Sequence, residues 1–164
     1  MQRSLEGSDT RALVLNIGAA LALVLIVNAG VFVFAGDAQT STQGGPLIGA
    51  IRGWVVGAVW TVLFMALAAT KWRVQSYLPA PAARRAATWV VILLVFCAVY
   101  PLYTGGLRWP LVGLLGNVAT AAMAAFVALA SFRVEPLAAL GPLAVVAWVS
   151  FASVAIVDQA RWLW

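Results

Sequence analysis

The chain contains no histidine, one cysteine and five acidic residues among its 164 positions. Without histidine it lacks the commonest metal ligand and the side chain that most often serves as a general base near neutral pH. Cys97 stands alone, so no disulfide can close within the chain, and its apolar neighbours make it a small core hydrophobe. Charge is scarce too. Only 9% of residues are charged, against roughly 25% in a soluble domain. The five acids fall in tails, in loops or at segment ends, with none paired at mid-membrane depth as ion or proton coupling favours. Phosphate loops, metal-ligand clusters and nucleophile–base pairs are missing, so no catalytic residue, no metal and no required cofactor is expected.

What is present is apolar. Hydrophobic residues make up 64% of the chain and the mean hydropathy is +1.00, values of a polytopic membrane protein. The net charge of +5 would suggest nucleic acid in a soluble protein; here the ten basic residues sit at the ends of apolar runs and read as topology signals, with no nucleic-acid partner. A polar tail at 1–11 precedes five apolar spans at about 12–34, 48–72, 87–104, 111–132 and 137–157, with a short tail at 159–164. Val33-Phe34-Ala35 resembles a signal-peptidase site, but the run before it is longer than an h-region, so the first span is read as a retained helix. The fold class is all-α: an integral membrane bundle of five transmembrane helices whose short connections make sequence neighbours antiparallel.

The second span carries the most information. Trp54 and Trp72 lie near its ends, where indoles anchor at headgroup level, but Trp60 lies near its middle. Positions 53, 57, 60, 64, 67 and 71 share one helical face, reading Gly, Gly, Trp, Phe, Leu, Lys. Gly53-x-x-x-Gly57 permits a close approach by a second backbone or a flat ligand. On the fifth span Trp148 is again central, and it shares a face with Phe151, Ala152 and Ala155. Helix-centre tryptophans seek partners for their N–H groups, so interhelical packing and pocket lining are the two readings of Trp60 and Trp148. Asn28 and Asn117 are intramembrane amides that should face the bundle, as glue between helices or as ligand contacts.

GWVVGAVWTVLF, residues 53–64, resembles the second transmembrane helix of the TspO/MBR family, the tryptophan-rich sensory and translocator proteins: a Trp-Val opening followed six residues later by Trp-Thr-x-Leu-Phe. YPLYTGGLRWP, residues 100–110, is similar to the family's Ser/Thr-Pro-x-Phe-Phe-Gly-Leu-Arg-x-Pro segment, and AWVSFA, residues 147–152, to its Trp-x-x-Phe-Ala segment. Asp158 and Arg161 fall where the family often has a charged C-terminal turn. The chain departs from the pattern in its first loop, which lacks tryptophan, at Phe96 and Val99, where the family carries Asn and Trp, and at Ala155-Ile156, where it carries Leu-Asn. The tyrosine of the animal cholesterol-recognition pattern is not found.

The resemblance implies binding of a hydrophobic small molecule, a porphyrin or haem-type tetrapyrrole or a sterol-like compound, with a sensory, regulatory or transport role. It also implies a homodimer in the lipid bilayer, and it brings a weaker suggestion of light-dependent tetrapyrrole breakdown. The candidate ligand-binding residues are Trp60, Phe64, Trp148, Phe151, Gly57 and Asn117, together with Trp54 and Tyr103. Two other readings are a non-catalytic assembly subunit that packs against partners and a small secondary transporter. The transporter is disfavoured by the lack of intramembrane charge or of a broken-helix pair.

Five spans place the termini on opposite sides. Arg3, Arg11, Lys71, Arg73, Arg84, Arg85 and Arg133 gather on the N-terminal side, against Arg52, Arg108 and Arg161 on the other, so the N-terminus is expected in the cytoplasm of a bacterial cell. A reporter fused after Trp164 should therefore face the periplasm when the chain is expressed in a bacterial inner membrane. Finding both termini on one side would rule out five spans.

Overall fold

In the computed structural model the described residues are 8–35, 53–106 and 110–161. They form five long helices: α1 (Ser8–Ala35), α2 (Gly53–Gln75), α3 (Pro81–Gly106), α4 (Pro110–Phe132) and α5 (Leu140–Arg161), the last preceded by a 3₁₀ turn at Pro136–Ala139. All five are long and apolar enough to cross a membrane. Helix is the only open-ended element that satisfies its own backbone in hydrocarbon, which is why so apolar a chain resolves into helices.

Prolines mark the starts. Pro81, Pro110 and Pro136 each open an element, where a missing N–H is not needed. Pro81 moves the start of α3 six residues ahead of the expected 87, because the basic loop is shorter than its composition suggests. The turn after α2 is closed by Tyr77 N–H to Val74 O and Leu78 N–H to Gln75 O, both 3.1 Å, and Ala80 O already accepts from Arg84 N–H at 3.1 Å. Arg84 and Arg85 thus stand on the first turns of α3.

Spatial order differs from chain order. Besides its sequence neighbours α1 and α3, α2 packs against α5, while α3 packs against α1 and α4, and α4 against α5. The five helices close into a ring in the order α1, α2, α5, α4, α3, with a further α2–α3 contact across it. Leu63, Phe64, Leu67 and Ala68 of α2, Val90, Leu93 and Cys97 of α3, Val127 of α4, and Val145 and Val149 of α5 fill the centre. The buried positions on α4 are Gly113, Asn117, Thr120, Ala124, Val127, Ala128 and Ser131; apart from Ala128 they follow alternating steps of four and three, a stripe of mostly small residues. Thr120 hides its hydroxyl by donating to Gly116 O at 2.7 Å. Helices in lipid are drawn together by packing instead of by exclusion from water, and small residues bring them close.

The tightest approach is at Gly141 on α5. A Cβ placed there would lie 2.7 Å from Ala66 O of α2 and would also strike Thr70 Oγ1. Gly57, where the sequence suggested a close approach, is exposed, and a Cβ there meets nothing within 4 Å. Gly141→Ala should therefore lower stability in detergent by about 1–3 kcal/mol through overpacking. Gly57→Ala should be neutral or stabilise by up to ~1 kcal/mol through helix propensity. Thermal unfolding of the two variants beside the parent checks both; equal effects would remove Gly141 as the α2–α5 contact.

Candidate functional site

Trp60 and Trp148 reach one cavity from adjacent antiparallel helices. The levels match because Gly141 is in contact with Ala66: Trp148 lies two turns beyond Gly141 and Trp60 lies six residues before Ala66, both about 10 Å from the contact at ~1.5 Å per residue. The cavity, about 200 Å³, is lined by Val56 and Trp60 of α2, Tyr100 of α3, and Trp148, Phe151, Ala152, Ala155 and Ile156 of α5. Its rings are mutually supported. Trp60 packs on Tyr100 with centroids 5.4 Å apart and on Phe64 at 6.1 Å, and Trp148 packs on Phe151 at 5.7 Å. These are tilted contacts within the range that aromatic pairs favour.

One polar group stands in this apolar wall. Tyr100 donates its hydroxyl to Asn117 Oδ1, joining α3 to α4 behind the cavity. Asn117 is only 1% exposed and its Nδ2 has no partner among the described residues. The amide can be turned end for end, but one of its two polar atoms is left over in either orientation. Asn117 therefore acts between helices and holds Tyr100; it is not itself on the cavity wall.

The other expected site residues distribute differently. Phe64 is buried in the central core, one turn from Trp60, where it backs that indole without lining the cavity. Gly57 faces away from the cavity, and its neighbour Val56, about 100° around the helix, takes the wall position instead. Trp54 and Tyr103 have side chains outside the described ones, as does Asn28. Phe151, Ala152 and Ala155 line the cavity beside Trp148 as their shared face suggested. Tyr100 was not singled out in the sequence, yet its signal was there. On α3 the buried positions Ala86, Val90, Leu93 and Cys97 recur at steps of four, three and four, and the next step of three is Tyr100.

The opposite end of the bundle is tied by polar contacts. Asn16 of α1 accepts from Lys71 Nζ and donates to Gln75 Oε1 at 3.2 Å, so this amide joins α1 to α2. Arg73 pairs with Glu135 at 2.7 Å, linking the end of α2 to the turn before α5. Among the described residues no group of histidine, cysteine or acidic side chains is placed to hold a metal ion.

The model of the TspO/MBR family fits residues 23–161, from within α1 to the end of α5. No curated protein matches the chain at a significant level.

The Tyr100–Asn117 contact can be measured by a double-mutant cycle. Tyr100→Phe strands both polar ends of a buried amide and should cost about 1–2 kcal/mol. Asn117→Leu removes the unpartnered Nδ2 together with the bond, so its cost should be smaller. The double variant should be less damaged than the sum of the two, with a coupling of roughly 0.6–1.7 kcal/mol in thermal unfolding. Strict additivity would show that the bond does not contribute.

Proposed function

The chain belongs to the TspO/MBR family, and from that premise we propose that it binds a planar hydrophobic molecule within the membrane, a porphyrin or haem-type tetrapyrrole in preference to a sterol-like compound, in a sensory, regulatory or transport role. The observation that carries this reading is the convergence of Trp60, Tyr100, Trp148 and Phe151, from three helices, on one cavity. Flat π-surfaces from three helices suit a conjugated macrocycle, which gains from stacking and from burial together. A saturated sterol gains only from burial. The lining alanines, Ala152 and Ala155, leave a smooth floor against which a flat edge can lie.

Size refines the proposal. About 200 Å³ is less than the roughly 300–1,000 Å³ of a site that engulfs a drug-sized ligand. A tetrapyrrole would enter by one edge and leave the rest of the ring along the lipid-facing side of α5, where Phe151 is 45% exposed. Specificity then rests on few polar groups: the Tyr100 hydroxyl held by Asn117, and the two indole N–H donors. Binding is proposed here, not turnover; a phenol is the only ionisable group on the described lining.

Titration of purified protein with protoporphyrin IX, followed by tryptophan quenching, tests the reading. Trp60→Leu and Trp148→Leu should each weaken binding roughly 5- to 30-fold, combining lost stacking with lost area. Trp72→Leu, twelve residues along α2 and about 18 Å away, should stay within twofold of the parent. Equal affinity in all four proteins would leave packing as the role of both central tryptophans.

A further inference from the structure

A second cavity lies on the other side of α3, remote from the aromatic cavity and unused by it. It is a groove of about 330 Å³ between α3 and α4, lined by Arg85, Trp89, Phe126, Leu129 and Arg133 over a floor of alanines. Trp89 and Phe126 meet edge-on across it, with centroids 5.0 Å apart and planes at 85°. Both arginines stand at the same end. Arg85 is one turn before Trp89, and Arg133 is seven residues after Phe126 on the antiparallel helix, so the charges lie about 6–10 Å beyond the aromatic pair. That level is the edge of the two apolar spans, Pro81–Tyr100 and Leu111–Phe132, where headgroups begin.

The two arginines differ from Lys71 and Arg73 at this end. Arg73 is neutralised by Glu135, and Lys71 is held by Asn16. Arg85 and Arg133 are exposed and have no ion pair among the described residues, and no acid lines their groove. A neighbouring groove of about 340 Å³ between α2 and α3 carries Lys71 and Arg84, but its lining has no aromatic ring.

We propose that the α3–α4 groove is a binding site for an anionic phospholipid. The phosphate sits between Arg85 and Arg133, and the first part of an acyl chain lies on Trp89, Phe126 and Leu129. Guanidinium forks match phosphate oxygens in a way that a single ammonium does not. The apolar half of the lining selects a lipid over a free anion, which would leave Trp89 and Phe126, 36% and 48% exposed, uncovered. Basic pockets between helices at the cytoplasmic side are a general means of holding lipid headgroups. This inference is independent of what occupies the aromatic cavity.

The test is native mass spectrometry of the full chain in detergent, offered dioleoyl phosphatidylglycerol and dioleoyl phosphatidylcholine at equal concentration. The parent should retain the glycerol lipid in preference to the choline lipid. Arg85→Gln and Arg133→Gln should each weaken that retention about 5-fold, and together about 25-fold. Arg84→Gln, the adjacent cation on the other groove, should leave it within twofold. Millimolar inorganic phosphate should not displace the lipid. Equal retention of the two lipids by the parent, an Arg84→Gln loss as large as that of Arg85→Gln, or displacement by phosphate would each overturn the proposal. The parent comparison requires no variant to fold.

Discussion

Everything above the middle of this bundle depends on the contact between Gly141 and the Ala66–Thr70 stretch of α2. Chain connectivity places α5 beside α4, but only a residue without a side chain lets α5 also lie against the backbone of α2. In lipid there is no exclusion from water to force that second contact. It forms because two helix surfaces fit closely enough for dispersion to act. The stripe on α4 works in the same way: its small residues let α5 approach, with Ile156 Cδ1 only 3.3 Å from where a Cβ on Gly113 would stand. Gly141 sets the height of α5 against α2, and that height brings two tryptophans far apart in sequence to one level.

Polar bonding is divided between the two ends. Asn16, Lys71, Gln75, Arg73 and Glu135 tie α1, α2 and the turn before α5 at the end where α2 passes into α3. In the other half Tyr100 donates to Asn117, joining α3 to α4 behind the aromatic cavity. The arrangement separates two kinds of surface, a charged rim and an aromatic interior.

Much of this was legible in the sequence. Five apolar runs with basic ends define five helices, and the central positions of Trp60 and Trp148 mark them as more than interfacial anchors. The face shared by Trp148, Phe151, Ala152 and Ala155 also lines the cavity. What the sequence could not supply was the rotation and height of one helix against the next. Val56 and Gly57 are neighbours in sequence about 100° apart on the wheel, and only the partner helices decide which of them lines the cavity. The same holds for the glycines: Gly53-x-x-x-Gly57 has the familiar spacing, yet the close approach among the described residues falls on Gly141, which stands in no such pair. Phe64 carries the right chemistry for a binding wall, but one helical turn carries it into the core. Tyr100 falls on the next step of the α3 periodicity.

The outermost position of α1 has a consequence for how the bundle is made. In the ring, α1 packs on α2 and α3 alone among its main contacts, and only 11% of its apolar window is buried, against 28–44% for the other four. During synthesis α1 enters the bilayer before either of its partners exists. Its hydropathy of 2.2, the highest of the five, lets it remain in lipid unaccompanied. α2 is the least apolar, at 1.6, and it carries Lys71 and Arg73. It therefore arrives as the segment in greatest need of company, and Asn16 of the waiting helix is there to receive Lys71. Order of insertion and order of dependence agree: the helix that can stand alone comes first, and the one that cannot follows it.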